Sequence, residues 1–423
     1  MNKAPSLFSA LRELKGNQRA CVFAEPLWAV PYYLITPFAS MYMAAIGLSD
    51  AQIGLIASLG LLLQFIWGLL SGAIVDKYGR RRSMLVFGLV CWTIPCGLWA
   101  AAQGYWYFLV AVFFNSMWRV TGNSFSCMMV EDGDPNKLVN TYAILNMTGM
   151  LAGLLLPIAG LCIDRFTLVP AMRVIYGLSL TLMAVKFLFQ YRLSHESAIG
   201  LGRMEECKGR SIASLSLSGW RTYVKVILQK RVLLCVIWMT LLNSFNTIQL
   251  TFWPLFVTGA YGIADSKIAV FTTVKTAVSL LTYLFIAPRI RLHMVRRPLL
   301  SGLLAQALGL LVLLVCLPIS PNAVWAVFFS AACDAFGLAM LSPLSESLMS
   351  VSLPSLERAR MNSFIFAVIL LISTPAGWIA GQLSQLSRAL PLALNLGILL
   401  VQVVVAFCIA RLVRSSARQA ADA

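Results

Sequence analysis

Hydrophobic positions along the chain gather into long runs, separated by short polar stretches. A helix that spans a membrane needs about 20 apolar residues in a row. The sequence has about twelve runs of this kind, near 27–47, 53–75, 83–102, 106–130, 139–163, 170–190, 232–258, 266–287, 298–318, 322–345, 359–383 and 390–411. The pattern therefore predicts an all-α membrane protein with twelve transmembrane helices.

Composition supports this class. The chain is 59% hydrophobic and 12% charged, which excludes an ordinary soluble domain. Its first residues, MNKAPSLFSALRELKGNQR, are polar and basic, and do not resemble a cleavable signal peptide. The ten cysteines are scattered, and His195 and His293 fall in predicted connections. We therefore expect no metal and no cofactor. The chain also lacks a nucleotide-binding loop and a nucleophile motif, so we do not expect an enzyme.

The net charge of +17 is distributed unevenly. With the N-terminus placed in the cytoplasm, 26 of the 33 Lys and Arg residues fall on the inner side and 4 on the outer side. This bias predicts that both termini are cytoplasmic, in a bacterial-type inner membrane. The positive charge is then a topology signal and a contact for anionic lipid, rather than a nucleic-acid surface. We expect a monomer.

An internal repeat relates the two parts of the chain. AVFFNSMWRV at 111–120 returns as AVFFSAACDA at 326–335, and the same offset of 215 places AIGLSDAQIGL at 45–55 over AYGIADSKIAV at 260–270. The offset predicts two pseudo-symmetric six-helix halves, a layout typical of transporters that rock around a central site. The predicted parts are a first half at 1–190, a cytoplasmic linker at 191–231 and a second half at 232–423. Residues 6–15 and 220–231 are predicted interfacial helices.

The loop after the second run carries a specific motif. Its sequence, GAIVDKYGRRR at 72–82, resembles the signature loop of the major facilitator superfamily, G-x-x-x-D-K/R-x-G-R-K/R. The matching residues are Gly72, Asp76, Lys77, Gly79, Arg80 and Arg81. The resemblance implies the twelve-helix facilitator fold and a gating role for this loop.

The same resemblance implies partners for the loop. Asp76 would latch the two halves on the cytoplasmic side, and Gly72 would allow a neighbouring helix to approach closely. Arg80 would pair with an acid at the inner end of the fourth span, either Glu131 or Asp132. The repeat places Glu346 over Glu131, which makes it a second gating candidate. In the second copy, 287–297, Arg291 replaces the aspartate, so the latch is expected to be asymmetric.

Two motifs of the proton-antiporter branch are matched only in part. In the fourth span, Arg119 and Gly122 resemble its arginine motif, although Thr121 stands where glutamine is usual. In the fifth span only Pro157 and Gly160 of the glycine-rich motif remain. These departures weaken the case for antiport.

Helical spacing separates polar faces from lipid faces in the inner spans. The candidate solute-binding residues are Tyr32, Gln64, Asn115, Arg119, Asn123, Asn243, Asn246, Gln249, Lys275 and Asp334. Any single amide in this set could instead join two helices. The third, sixth, ninth and twelfth spans show no comparable stripe, which fits the peripheral position that the resemblance implies for them.

Charged side chains inside spans are costly and mark function by default. The repeat predicts that Arg119 and Asp334 lie at matching depths, and Lys275 adds a second cation. The resulting interior charge of +1 suits a carboxylate or phosphate. Asp334 is the first candidate for proton coupling and Glu25 is the second. A structural ion pair remains an alternative for these charges.

The sequence thus predicts a secondary active transporter that moves a small organic solute by alternating access, coupled to protons and in the direction of efflux. One alternative is a symporter of sugars or organic anions. Another is a flippase for a lipid-linked head group, which would use a wide apolar groove near Trp253 and Trp378.

Overall fold

The structure is a computed structural model, and it describes residues 14–131, 138–216, 220–286, 296–320, 323–352 and 358–421. Across these residues the regular secondary structure is entirely helical. Ten of the described helices are long and apolar enough to span a membrane. The predicted all-α membrane class is confirmed.

The helices are numbered in chain order. The first eleven are α1 (Gly16–Ala24), α2 (Pro26–Ile35), α3 (Ala39–Ala45), α4 (Asp50–Tyr78), α5 (Arg80–Gly88), α6 (Ile94–Ala100), α7 (Tyr105–Asn115), α8 (Trp118–Glu131), α9 (Leu138–Gly153), α10 (Leu156–Phe166) and α11 (Leu168–Leu193). The others are α12 (Ala198–Glu206), α13 (Ile212–Ser216), α14 (Trp220–Ile227), α15 (Lys230–Ala260), α16 (Lys267–Phe285), α17 (Arg296–Ile319), α18 (Val324–Ser352), α19 (Arg358–Leu386) and α20 (Leu390–Ala421).

Two of the twelve predicted runs are not among the ten candidate spans, because each is divided into shorter helices. The run at 27–47 is divided by a 3-10 turn at Thr36–Phe38, where Pro37 supplies no N–H for an α-helical hydrogen bond. The run at 106–130 is divided near Ser116, between α7 and α8. The other ten runs correspond to the ten long apolar helices. The breaks explain why fewer than twelve uninterrupted spans occur among the described residues.

One compact unit comprises residues 1–36, 63–162 and 169–218. In it α8 packs against α5 and α1, and α9 packs against α2. The signature loop lies inside this unit, between α4 and α5. The unit therefore contains most of the first predicted half together with the first part of the predicted linker.

A second compact unit comprises residues 37–62, 163–168 and 219–423. Here α15 packs against α3, α19 and α20, while α18 packs against α16 and α17. The predicted interfacial segment at 220–231 begins as α14, whereas residues 6–13 of the other one lie outside the described part of the chain. The predicted division at 1–190, 191–231 and 232–423 is based on the sequence repeat, whereas the two compact units are defined by contacts. The division therefore stays a prediction.

Candidate functional site

The signature loop forms a buried charge cluster in the first unit. The Arg80 side chain is 4% exposed, and its guanidinium lies 2.9 Å from a Glu131 carboxylate oxygen and 3.1 Å from one of Asp76. The Nε and Nη2 atoms of Arg80 both donate to Glu131, which is the bidentate geometry that makes such pairs strong. The expected partner Glu131 is therefore present, while Asp132 lies outside the described residues.

Glu196 completes this cluster. Its two carboxylate oxygens accept the backbone N–H groups of Arg80 and Arg81 at 2.7 and 3.0 Å, which satisfies free donors at the start of α5. Gly79 has a φ of +85°, and a Cβ there would lie 2.6 Å from Glu196 Oε2. The motif glycine is thus needed both for its backbone conformation and for the approach of this carboxylate. Ser197 also donates to Glu131.

Other loop residues hold the chain that follows α11. Lys77 donates to the Arg210 carbonyl at 2.9 Å, and Arg81 donates to the Tyr191 carbonyl at 3.0 Å. The loop therefore anchors the first part of the predicted linker, which the sequence did not indicate.

The expected roles of two other gating candidates find less support. A Cβ at Gly72 would meet only Asn123 Nδ2 among the described residues, at 3.9 Å, so the gating role of Gly72 stays a prediction. Glu346 is exposed, and residues 287–295, which would hold its repeat-related partner, lie outside the described ranges.

A second charged group lies in the other unit, on neighbouring helices α16 and α18. Lys275 Nζ is 2.8 Å from Asp334 Oδ2, and both side chains are mostly buried. The same ammonium lies 4.0 Å from the centre of the Trp253 ring, which is a cation–π contact. Of the two partners expected for Asp334, the structure shows Lys275.

Arg119 lies near the start of α8, directly after the break in the fourth run. Its guanidinium donates to Gln64 Oε1 at 3.0 and 3.2 Å and lies over the Trp118 ring at 4.1 Å. The structure thus brings together two of the predicted binding residues, Arg119 and Gln64, on α8 and α4.

Several predicted binding amides join helices. Asn115 Nδ2 donates to the Cys91 carbonyl at 3.0 Å, and Asn123 Nδ2 donates to Ser71 at 3.4 Å. Cys91 lies in a π turn at Leu89–Thr93, a distortion that leaves backbone carbonyls available to side chains. These contacts fit helix–helix bonding as well as they fit solute binding.

The predicted solute-binding amides on α15 also differ in whether they bond to a neighbouring helix. Gln249 is buried and accepts a hydrogen bond from Asn395 of α20 at 3.2 Å, so it bonds to the neighbouring helix. Asn243 and Asn246 are half-buried one turn apart, and the Asn243 Nδ2 atom has no partner among the described residues. Only the latter two keep the geometry expected of solute-binding amides.

No group of three or more His, Cys, Asp or Glu residues that could hold a metal ion occurs in the described part of the chain.

Comparison with known proteins decides which family the chain belongs to. The model of the Major Facilitator Superfamily matches residues 29–253, which is more than half of the chain. The chain belongs to the major facilitator superfamily. It is therefore a multi-pass integral membrane protein of a transporter superfamily rather than an enzyme.

Individual superfamily members show the same likeness. An uncharacterized MFS-type transporter, YqjV of Bacillus subtilis (strain 168), is 31% identical over 166 residues, which cover 36% of this chain and 38% of that protein. Among solved structures, the nucleoside transporter NupG has a TM-score of 0.70 at 12% identity and covers 93% of this chain and 100% of its own.

A POT family transporter in complex with a thioalcohol-conjugated peptide has a TM-score of 0.69 at 16% identity, covering 93% of this chain and 95% of its own. The human organic anion transporter MFSD10 has a TM-score of 0.64 at 15% identity, covering 95% and 100%. These likenesses establish the facilitator fold.

The sequence analysis did not select Lys186 as a site residue of this superfamily member. The third and sixth spans were expected to show no polar stripe comparable to those of the inner spans, yet both supply residues to a cavity in the first unit. Lys186 of α11 is buried and lines a cavity together with Trp92 of the third span and Glu25. Tyr32 stacks on Trp28 beside it, with ring centres 4.7 Å apart. The signal available in the sequence was the single lysine inside the sixth run.

Proposed function

We propose that the chain is a secondary active transporter that moves a small organic solute by alternating access, coupled to protons and in the direction of export. The observation that carries this proposal is the Lys275–Asp334 ion pair, with its 2.8 Å contact between two predicted spans. Burying two charges costs free energy that a pair of apolar side chains would avoid. Ionisable groups inside spans therefore mark pathways and proton relays by default.

The pair supplies a physical basis for coupling. Asp334 can either bind a proton or pair with Lys275, and a change in their separation between two conformations changes its proton affinity. A ligand shifts a conformational equilibrium only by its different affinity for the two states. Protonation of Asp334 would thus favour one state, and solute binding would favour the other.

Charge inside the spans supports an anionic or amphipathic solute. The bases inside predicted spans are Arg119, Lys186 and Lys275, against Asp334 inside a span and Glu25 at the mouth of the first run. Solved relatives of this fold transport nucleosides and organic anions or bind peptides, so the fold accommodates solutes of this size. The alternative within transport is a symporter of organic anions or sugars. It differs from the proposed exporter in the direction in which the solute moves.

A lipid-linked head group is supported less well. Trp253 is 2% exposed and is covered by the Lys275 ammonium, so it offers no open groove wall. Export is supported by the match of Arg119 and Gly122 to part of an antiporter motif. We place both termini of a monomer in the cytoplasm of a bacterial-type inner membrane, from the distribution of Lys and Arg.

Asp334→Asn is expected to abolish solute accumulation driven by a pH gradient, because asparagine keeps the shape of the side chain but does not titrate. Exchange of labelled for unlabelled solute without a gradient should continue. The measurement uses proteoliposomes and a ligand first found by thermal-shift screening of metabolites. Solute accumulation driven by a pH gradient in the variant would exclude Asp334 as the coupling residue. Loss of both activities would favour a structural ion pair.

The proposed solute charge has its own test. Arg119→Gln and Lys275→Gln should each weaken binding of an acidic ligand about tenfold or more, since each removes a charged donor. Asn123→Ala, which removes one long contact to Ser71, serves as the matched control and should change binding little. Equal affinity in all three variants would contradict an anionic solute.

A further inference from the structure

The first unit contains a partly open cavity of about 140 Å³ that the proposed coupling pair does not use. Four predicted spans and Glu25, just ahead of the first of them, supply its walls. The lining residues are Glu25, Trp28, Met84, Trp92, Trp118, Thr121, Gly122, Phe125, Lys186 and Phe187. Half of these residues are aromatic, and one carboxylate and one ammonium face the same space.

The two charged groups attract each other across the cavity, but no close polar contact of either is seen in the described part of the chain. Lys186 is 3% exposed, and its ammonium lies 4.3 Å from the centre of the Phe187 ring and 5.5 Å from that of Phe125. These ring contacts leave the three hydrogen-bond donors of the ammonium available to a ligand. Glu25 likewise has no hydrogen-bonded or ion-paired partner in the described chain, even though it lines the same cavity.

We propose that this cavity binds a compact zwitterion, a free α-amino acid with a small apolar side chain. The carboxylate of the ligand accepts hydrogen bonds from Lys186, and its ammonium donates to Glu25. The apolar side chain packs on the rings of Trp28, Trp92 and Trp118. Lys186 and Glu25 then each gain a charge-assisted hydrogen bond to the ligand in place of their longer-range attraction for each other.

The size of the cavity limits the ligand. An apolar cavity of about 150 Å³ holds one benzene molecule. A cavity of about 140 Å³ therefore suits alanine, proline, valine or leucine. A dipeptide or a nucleoside would extend out of the open side of the cavity. This inference goes beyond the proposed function, because it names a ligand and a site in the unit that lacks Asp334.

The test is equilibrium binding of radiolabelled L-valine to the full chain in phosphatidylglycerol nanodiscs, with alanine, proline and leucine as competitors. Isovalerate is valine without its ammonium, and isobutylamine is valine without its carboxylate. Each analogue should compete about 10- to 100-fold more weakly than valine, since each lacks one charge-assisted contact. Absence of binding by all four amino acids at about 10 mM would overturn the proposal.

Two variants assign the contacts to residues. Lys186→Met and Glu25→Gln should each weaken valine binding about 10- to 100-fold. In Glu25→Gln, isovalerate should then bind as well as valine. In Lys186→Met, isobutylamine should do so. Retention of the wild-type preference for the zwitterion in both variants would contradict the assigned contacts.

Ser179→Ala is the matched control on the same helix. Ser179 is as buried as Lys186 but donates only to the Ile175 carbonyl of its own helix, away from the cavity. It should leave valine binding unchanged. The melting temperature of each variant checks folding, and the ligand series on the unmodified chain remains decisive if a variant does not fold.

A phosphatidylethanolamine head group carries the same two charges as an amino acid. The binding measurement is therefore repeated in nanodiscs that contain this lipid, and phosphoethanolamine is added as a soluble competitor. Unchanged valine affinity supports a free amino acid as the occupant. Displacement of valine by the lipid would assign the site to a head group and overturn that occupant. Binding is measured without a gradient, so either result is independent of the transport proposal.

Discussion

Gly54→Val is expected to separate the start of α4 from α19 and to stop turnover. A Cβ at Gly54 would lie 2.3 Å from the Gly377 carbonyl oxygen and 2.8 Å from the Gly381 Cα. Both neighbours are backbone atoms, so a rotamer change cannot relieve the overlap. Overpacking costs about 1–3 kcal/mol, and we expect the upper end here. A change of 3 kcal/mol shifts a two-state equilibrium by more than about a hundredfold.

A polar contact lies beside the crossing of α4 and α19, and it makes this crossing a candidate gate. Asp50 accepts a hydrogen bond from Ser384 at 2.6 Å and pairs with Arg388 at 3.4 Å. Arg388 also donates to the Leu255 carbonyl of α15 at 3.2 Å. The contact thus joins the ends of three helices within the second unit. The predicted topology places these ends on the outer side, opposite the signature loop.

The measurement is the rate at which a cysteine at Ser384 reacts with a water-soluble maleimide, in detergent, with and without Gly54→Val. The chain without the added cysteine gives the background of the native thiols. The valine variant should react more than about tenfold faster, because the crossing that buries residue 384 is opened. Gly397→Val is the control, since nothing described lies within 4 Å of a Cβ there. Equal rates in all three proteins would show that the crossing tolerates the side chain.

Glu131→Gln is expected to destabilise the first unit by about 3 kcal/mol, the low end for removing one partner of a buried ion pair. The Arg80 side chain is 4% exposed and would keep, within the described ranges, only Asp76 as an anionic partner, and Asp76 is 30% exposed. Glutamine preserves the shape of the side chain, so the loss reports charge rather than packing. The change in the free energy of unfolding is measured by SDS titration of the purified protein.

Glu206→Gln provides the comparison for this variant. Glu206 pairs with Arg203 at 2.7 Å, but both side chains are largely exposed. Such surface pairs contribute under about 1 kcal/mol, so unfolding should hardly change. A loss for Glu131→Gln no larger than that for Glu206→Gln would show that the loop cluster does not hold the unit together.

The pairing of Arg80 with Glu131 shows how far a motif can predict structure. The motif located the arginine, and the end of the fourth apolar run left two candidate acids, Glu131 and Asp132, of which the structure shows Glu131 as the partner. Glu196 was not predicted, because it follows α11 and reaches the loop over 115 residues of chain. It is one of three glutamates in a basic linker, a composition that is usual for a solvated surface.

The predicted binding residues show the limit of periodicity. Spacing of three and four residues identifies a polar face but not what that face meets. Gln249 turned toward Asn395, and Asn115 toward the Cys91 carbonyl, because a buried amide bonds to whichever polar group lies nearest. Lys186 shows the converse, since a single charge in an otherwise apolar run forms no stripe.

The sequence by itself determined the membrane class, the apolar runs that form the ten long spans, and the superfamily. These depend on the length and composition of single segments and on local backbone needs such as the positive φ of Gly79. Only the tertiary structure decided that Lys275 pairs with Asp334, that Gly54 meets Gly377, and that Glu25 and Lys186 share a cavity. Such contacts depend on which helix faces pack together. In spans that are apolar on nearly every side, the hydrophobic pattern leaves those rotations open, and the packing of the side chains decides them.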